Sequence, residues 1–144
     1  MSRLNADWTN TTGELVSIAP RSEAQCVFRS DAENSYYIWG SNLTGWPPNR
    51  AIFSKSTNFS MGPTTWEDLG NPSNSSPTFN SQSAFIFPFT HDDGHVTLIY
   101  AGDRWVSNYG QMTNVTDVWL PLTFNSTTML WNLTWHDSWS LADY

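Results

Sequence analysis

At 144 residues the chain is long enough for one domain with a real hydrophobic core. Thirteen acidic against six basic residues, a formal net charge of −7, exclude the electrostatic footprint that phosphate backbones require, so nucleic acid is not an expected partner. Nine Trp, eight Phe and five Tyr are far above ordinary usage, and such side chains fill β-sheet cores or stack on the flat faces of sugar rings.

The N-terminal stretch MSRLNADWTN has no apolar segment of the kind a secretory leader carries, so no signal peptide is read in this chain. Helical periodicity is nearly absent along the rest. Short β-branched and aromatic runs alternate with Gly, Pro, Asn and Asp clusters. The first four predicted strands are Ala24–Arg29, Tyr36–Gly40, Ala51–Ser56 and Thr65–Leu69. Cys26, in the first of them, is the only cysteine, so no internal disulfide forms and no Cys/His zinc pattern exists.

After the connection GNPSNSSP (Gly70–Pro77) come Ala84–Phe87, Val96–Ala101, Val118–Leu122 and Met129–Thr134, with a short tail strand near Trp139–Leu141. The apolar run Ala84–Phe89 is far shorter than the roughly 20 residues a membrane span needs, so no membrane partner is expected. In HDDGH (His91–His95) the residue types suit a metal, but Asp93-Gly94 between two strand patterns reads as a hairpin turn. No metal site is assigned. Trp119, Trp131, Trp135 and Trp139 sit in strand patterns and are expected in the core.

The order is four strands, a Pro/Ser-rich connection, then four strands again. YYIWGSN and TLIYAGDR both run aromatic and end on a small residue followed by polar ones. Such a repeat is what β-propeller blades look like, with units at about 23–70 and 82–141 in one incomplete domain spanning 1–144. A sandwich or jelly roll satisfies the same strand count. Two blades do not close a ring, since propellers have roughly four to eight. Further N-terminal blades or another chain are therefore expected to complete the fold.

In a propeller the start of each innermost strand opens onto the central channel. Glu23 begins one such strand and Gln82 the other, so a carboxyl and an amide are expected at equivalent entrances of neighbouring blades. The plain alternative for Glu23 is a solvated strand end.

The segments SEAQCVFR, YYIWGSNLTGWPPNRA, SQSAFIFP, LIYAGDRW and VWLPL, in this order, resemble the C-terminal part of glycoside hydrolase family 43, above all its exo-β-1,3-galactanase-like branch. The resemblance covers about residues 14–141. It implies an all-β, partial five-bladed β-propeller that cleaves glycosidic bonds of plant polysaccharide such as β-1,3-galactan with inversion. It further implies Glu23 as the general acid and Gln82 as the group that orients the attacking water. Two such groups are expected about 6.5–9.5 Å apart, leaving room for water on the far face of the sugar. The family's Pro two residues after Glu is Gln25 here and its Arg before Glu is Ser22. Its other catalytic carboxylates lie in earlier blades and have no counterpart, so the chain alone is expected to be inactive. The alternative is a non-catalytic or vestigial carbohydrate-binding module.

Ser41 falls where the family places a hydroxyl near substrate, with a role in the turn after its strand as the alternative. Trp46, in LTGWPPN, is read as a sugar platform or a loop anchor. Arg104 is read either as a clamp on a sugar hydroxyl or a catalytic carboxylate, or as half of an internal Asp–Arg pair or a surface pair. No cofactor is assigned; calcium in the channel of the complete family fold is left open, with no ligands identified here. Seven of thirteen asparagines lie in Asn-x-Ser/Thr sequons: Asn10, Asn42, Asn58, Asn74, Asn114, Asn125 and Asn132. Chance placement would give about three. With the family resemblance this points to an extracellular glycoprotein.

Overall fold

The computed structural model describes residues 2–15, 21–45, 47–59, 66–104 and 115–144. Among the described residues ten strands form three antiparallel sheets, and the only helical pieces are short 3-10 turns. Strands β1 (Ser2–Leu4) and β2 (Thr11–Leu15) pair as a hairpin. The first four-stranded sheet runs in the order β3 (Glu23–Ser30), β4 (Ser35–Ser41), β5 (Ala51–Ser56), β6 (Glu67–Gly70). The second runs β7 (Gln82–Thr90), β8 (Val96–Arg104), β9 (Thr116–Asn125), β10 (Leu130–Leu133). Two meandering four-stranded sheets packed against each other are a portion of a β-propeller, as the repeat predicts.

Alternation explains the orientation of β3. Cys26, Phe28 and Ser30 are buried while Gln25, Val27 and Arg29 are exposed, the period of a strand with one packed face. Strand β4 is covered on both faces, with Tyr37, Ile38 and Trp39 all buried. Hairpin geometry sets the register. Asn34 tolerates a φ of 48° and closes the β3–β4 turn through its N–H on the Asp31 carbonyl. Gly94, at φ 88°, does so for the β7–β8 turn, where Asp93-Gly94 was expected to bend. Pro88 is tolerated in β7 because that strand is an edge.

The core lies between the two sheets. Phe28, Tyr37 and Phe53 stack with centroids 5.0–6.1 Å apart, and Trp131 of the second sheet meets Phe28 edge-on at 5.9 Å. Trp39 packs on Tyr100 at 5.1 Å, and Ile86, Leu98, Leu120 and Leu122 complete the opposing layer. Each such side chain contributes about 1.5–3 kcal/mol on burial. A buried polar knot reinforces the seam. Glu33, in the β3–β4 turn, accepts from Tyr37 Oη at 2.6 Å, Lys55 Nζ at 2.9 Å and Trp131 Nε1 at 3.0 Å.

Three expectations need correction. The tail near Trp139–Leu141 is no strand: Leu141–Asp143 is a 3-10 turn capped by Ser140. Trp119 and Trp135 are not core: they are 56% and 38% exposed, Trp119 on the opposite face of β9 from buried Val118 and Leu120, and Trp135 beyond the end of β10. The β1–β2 hairpin has no counterpart among the predicted strands.

Candidate active site

The start of β3 is bent into place. Between the pairs Glu23↔Ser41 and Cys26↔Trp39 the register slips, and Ala24 takes a φ of 50°. Gly40 permits this approach. A Cβ at that position would stand 2.6 Å from Ser22 Oγ and 3.2 Å from the Glu23 carbonyl oxygen. The Ser83 hydroxyl then donates to the Ala24 carbonyl at 2.6 Å, fastening the bulge of one sheet to the other.

The start of β7 is set by the connection before it. Thr78 Oγ1 accepts from Ala51 N and donates to the Asn49 carbonyl, both at 2.8 Å, so the connection is tied to β5. Thr78, Phe79 and Asn80 all have φ of 53–58°, a left-handed run that is unfavourable for a β-branched residue. Ser81 follows, bonded to the Thr78 carbonyl and to Tyr100 Oη, and Gln82 comes next.

These devices bring three predicted residues together. Gln82 Nε2 donates to Glu23 Oε1 at 3.0 Å and to Ser41 Oγ at 2.8 Å. Ser41 is buried and Glu23 and Gln82 are half-buried. The separation differs from the 6.5–9.5 Å expected of an acid and a water-holding group. Amide and carboxylate touch because an NH2 with two protons and two nearby acceptors satisfies both. Both amide protons are committed, which leaves Gln82 Oε1 as an acceptor. On Glu23, Oε1 receives the amide N–H, and Oε2 is not engaged by Gln82.

The other candidates lie elsewhere. Arg104 is not hydrogen-bonded to this cluster; its guanidinium lies over the Trp135 ring at 5.0 Å, and its Nε is buried without a partner among the described residues. The alternative Asp103–Arg104 pair is not formed among them either. Trp46 lies outside the described residues. His91–His95 forms the hairpin turn, and among the described residues no group of three or more His, Cys, Asp or Glu side chains is placed to hold a metal. A groove of about 710 Å³ lined by Val27, Phe28, Arg29, Phe85, Ile86 and Trp131 runs between β3 and β7, but neither Glu23 nor Gln82 lines it.

Titration separates inert groups from available ones. Burial pushes the Cys26 thiol up to about 11, outweighing the Ser83 hydroxyl, so it is no nucleophile at neutral pH. Burial likewise raises Tyr100 well above its usual range. Asp103, read from the sequence only as a partner for Arg104, stands opposite Gln82 in the β7–β8 register. The signal was available: Asp103 follows Gly102 as Ser41 follows Gly40.

No family model and no curated protein matches the sequence. Solved structures do. A family 43 β-1,3-galactosidase with bound galactodeoxynojirimycin superposes with a TM-score of 0.81 at 26% identity, covering 97% of this chain and 39% of that one. An exo-β-1,3-galactanase from Clostridium thermocellum gives 0.75 at 30% identity, covering 92% and 28%. One from Phanerochaete chrysosporium with galactose gives 0.70 at 26% identity, covering 92% and 28%. The chain thus spans less than half the length of each. Over nearly all of its own length it is similar to part of the β-1,3-galactosidases and exo-β-1,3-galactanases of glycoside hydrolase family 43, the family its motifs resemble.

Proposed function

We propose that this chain supplies two blades, within one incomplete propeller domain, of an inverting glycoside hydrolase acting on β-1,3-galactan or a related plant polysaccharide. Glu23 is the general acid and Gln82 positions the attacking water. The observation that carries this reading is the Glu23–Gln82–Ser41 cluster across the boundary between the two sheets. Protonated at Oε2, Glu23 gives its proton to the glycosidic oxygen as the bond to the anomeric carbon breaks. Gln82 Oε1 accepts an O–H of the water that forms the new bond. An amide oxygen is too weakly basic to keep the proton that water loses, so that proton leaves to solvent or to a carboxylate from another blade. General acid catalysis of this kind supplies about 10²–10⁴ in rate.

One observation favours a second reading for the chain taken alone. Among the described residues Glu23 is the only carboxylate bonded into the cluster, whereas glycoside hydrolysis ordinarily uses two. A sugar-binding module without turnover fits that inventory. Extracellular placement and glycosylation are supported by exposure of Asn10, Asn42, Asn58, Asn74 and Asn125.

The test is a nuclear magnetic resonance titration with galactodeoxynojirimycin, a cationic galactose mimic. The reading requires saturable shifts of the Gln82 side-chain NH2 that disappear in Glu23→Gln. Shifts confined to other residues contradict it.

A further inference from the structure

The face on which Glu23 stands is decided by one extra residue. Glu23 pairs with Ser41 and Cys26 with Trp39, so Ala24 and Gln25 together oppose the single residue Gly40. Residues directly opposite in an antiparallel pair share a face, so Glu23 lies with Ser41, Trp39 and Cys26. Without the bulge, counting back from Cys26 pairs Ala24 with Ser41. Glu23 then falls one step further on and points from the other face, away from Gln82. The contact between Glu23 and Gln82 depends on the bulge.

Something must hold that bulge in place. Ala24 is left-handed, at φ 50°, a conformation that residues other than glycine keep only where neighbours fix it. The Ser83 hydroxyl holds the Ala24 carbonyl from the second sheet. A local fastening adds to it. Gln25 Nε2 donates to Ser22 Oγ at 2.9 Å and to the Ser22 carbonyl at 3.3 Å, closing a clasp around Glu23 and Ala24. Ser22 and Gln25 are also the two positions named above as departures from the family pattern, and the structure joins them.

At the same step of the second sheet the fastening differs. Ser81 corresponds to Ser22 and bonds Tyr100 Oη at 2.9 Å, whereas Ile38, the counterpart of Tyr100 in β4, has no hydroxyl. Ala84 stands at the place of Gln25 and has no amide to give.

We propose that Ser22 and Gln25 are a coupled pair of positioning residues: their clasp keeps the bulge, and the bulge keeps the Glu23 carboxyl on the face that meets Gln82. That Glu23 delivers a proton rests on the proposed function. That the clasp holds its carboxyl rests on the register and the hydrogen bonds.

The experiment is nuclear magnetic resonance on the full chain, with the Gln82 side-chain NH2 as reporter, in Gln25→Met, Ser22→Ala and the double variant. Gln25→Met keeps the length of the side chain and removes the donor. Each single variant is expected to shift the reporter and to speed its exchange with water by about two- to tenfold, the contribution of one hydrogen bond. The double variant goes no further than either, because both remove the same clasp. Gln25→Pro shifts the reporter more, since a proline presses the residue before it toward extended backbone. Val27→Thr, exposed on the same strand, leaves it unmoved, and thermal melts check folding. Turnover by the chain completed with the galactanase blades that lie outside the matched portion is the second readout, with kcat lowered and KM kept in Gln25→Met. A reporter unmoved in Gln25→Met, or single effects that add in the double variant, overturns the proposal. A reporter that moves while even wild type shows no turnover supports the clasp and counts against the hydrolase reading.

Discussion

Glu23 and Gln82 lie 59 positions apart, begin the innermost strands of neighbouring sheets, and meet at 3.0 Å through a carboxylate oxygen and an amide N–H. A carboxyl on one sheet is thus held by an amide on the next. Replacing the amide by a second carboxylate reverses the sign of that contact. In Gln82→Glu the two carboxyls share one site and titrate as a coupled pair, with one apparent pKa raised. Carboxyl carbon chemical shifts followed against pH show the upward displacement, and two independent titrations at ordinary carboxylate values would refute it.

Gly40 is where the site depends on the absence of a side chain. Gly40→Ala puts a Cβ 2.6 Å from Ser22 Oγ and 2.8 Å from Ser22 Cβ, so the start of β3 must move. Overpacking of this kind costs about 1–3 kcal/mol. The melting temperature falls accordingly, and the Gln82 side-chain NH2 resonances move because Glu23 is displaced. A fall in stability with those resonances unchanged would separate Gly40 from the site.

The Glu33 knot joins the two sheets. Its side chain is only 4% exposed and accepts from Tyr37, Lys55 and Trp131. Glu33→Ala strands all three donors and is expected to cost about 3–5 kcal/mol in denaturant unfolding. Glu33→Gln, which keeps an acceptor oxygen, costs less. Equal losses for the two would show that the carboxylate itself holds the knot and that shape with a single acceptor oxygen does not.

The C-terminal segment is held by a titrating group. His95 is raised above its ordinary value, first by the Tyr144 backbone carbonyl and then by Asp93. Asp93 is lowered in return, chiefly by the His95 backbone N–H. The raised histidine strengthens the tether while His95 is protonated, and this contribution is lost as pH rises through its folded pKa. Imidazole proton shifts are expected to titrate above about 6.5 and to drop back in Asp93→Asn. An unshifted His95 would remove the tether.

How far the sequence reveals this arrangement depends on the residue. Alternation and turn residues mark all eight strands of the two sheets, because buried and exposed positions follow the pleat in EAQCVFRS and the turn at Asp93-Gly94 has one inexpensive geometry. The β1–β2 hairpin is too polar and too short to leave such a pattern. The tail strand was a misreading of a signal that is present: Ser140 and Asp143 form a capping box, the mark of a helical turn. Matching starts identified Glu23 and Gln82 as neighbours. Their contact distance depends on how two sheets pack, which no spacing along the chain encodes. Trp119 was misjudged for a related reason, since composition does not say which face of a sheet meets another.

The measurement that bears most directly on the central claim is galactose release from β-1,3-galactotriose by the chain together with the complementary galactanase blades, wild type against Glu23→Gln. Wild type is expected to form α-galactose as the first anomer and Glu23→Gln to lose about 10²–10⁴ in rate, with both complexes intact. Equal rates for the two would contradict it.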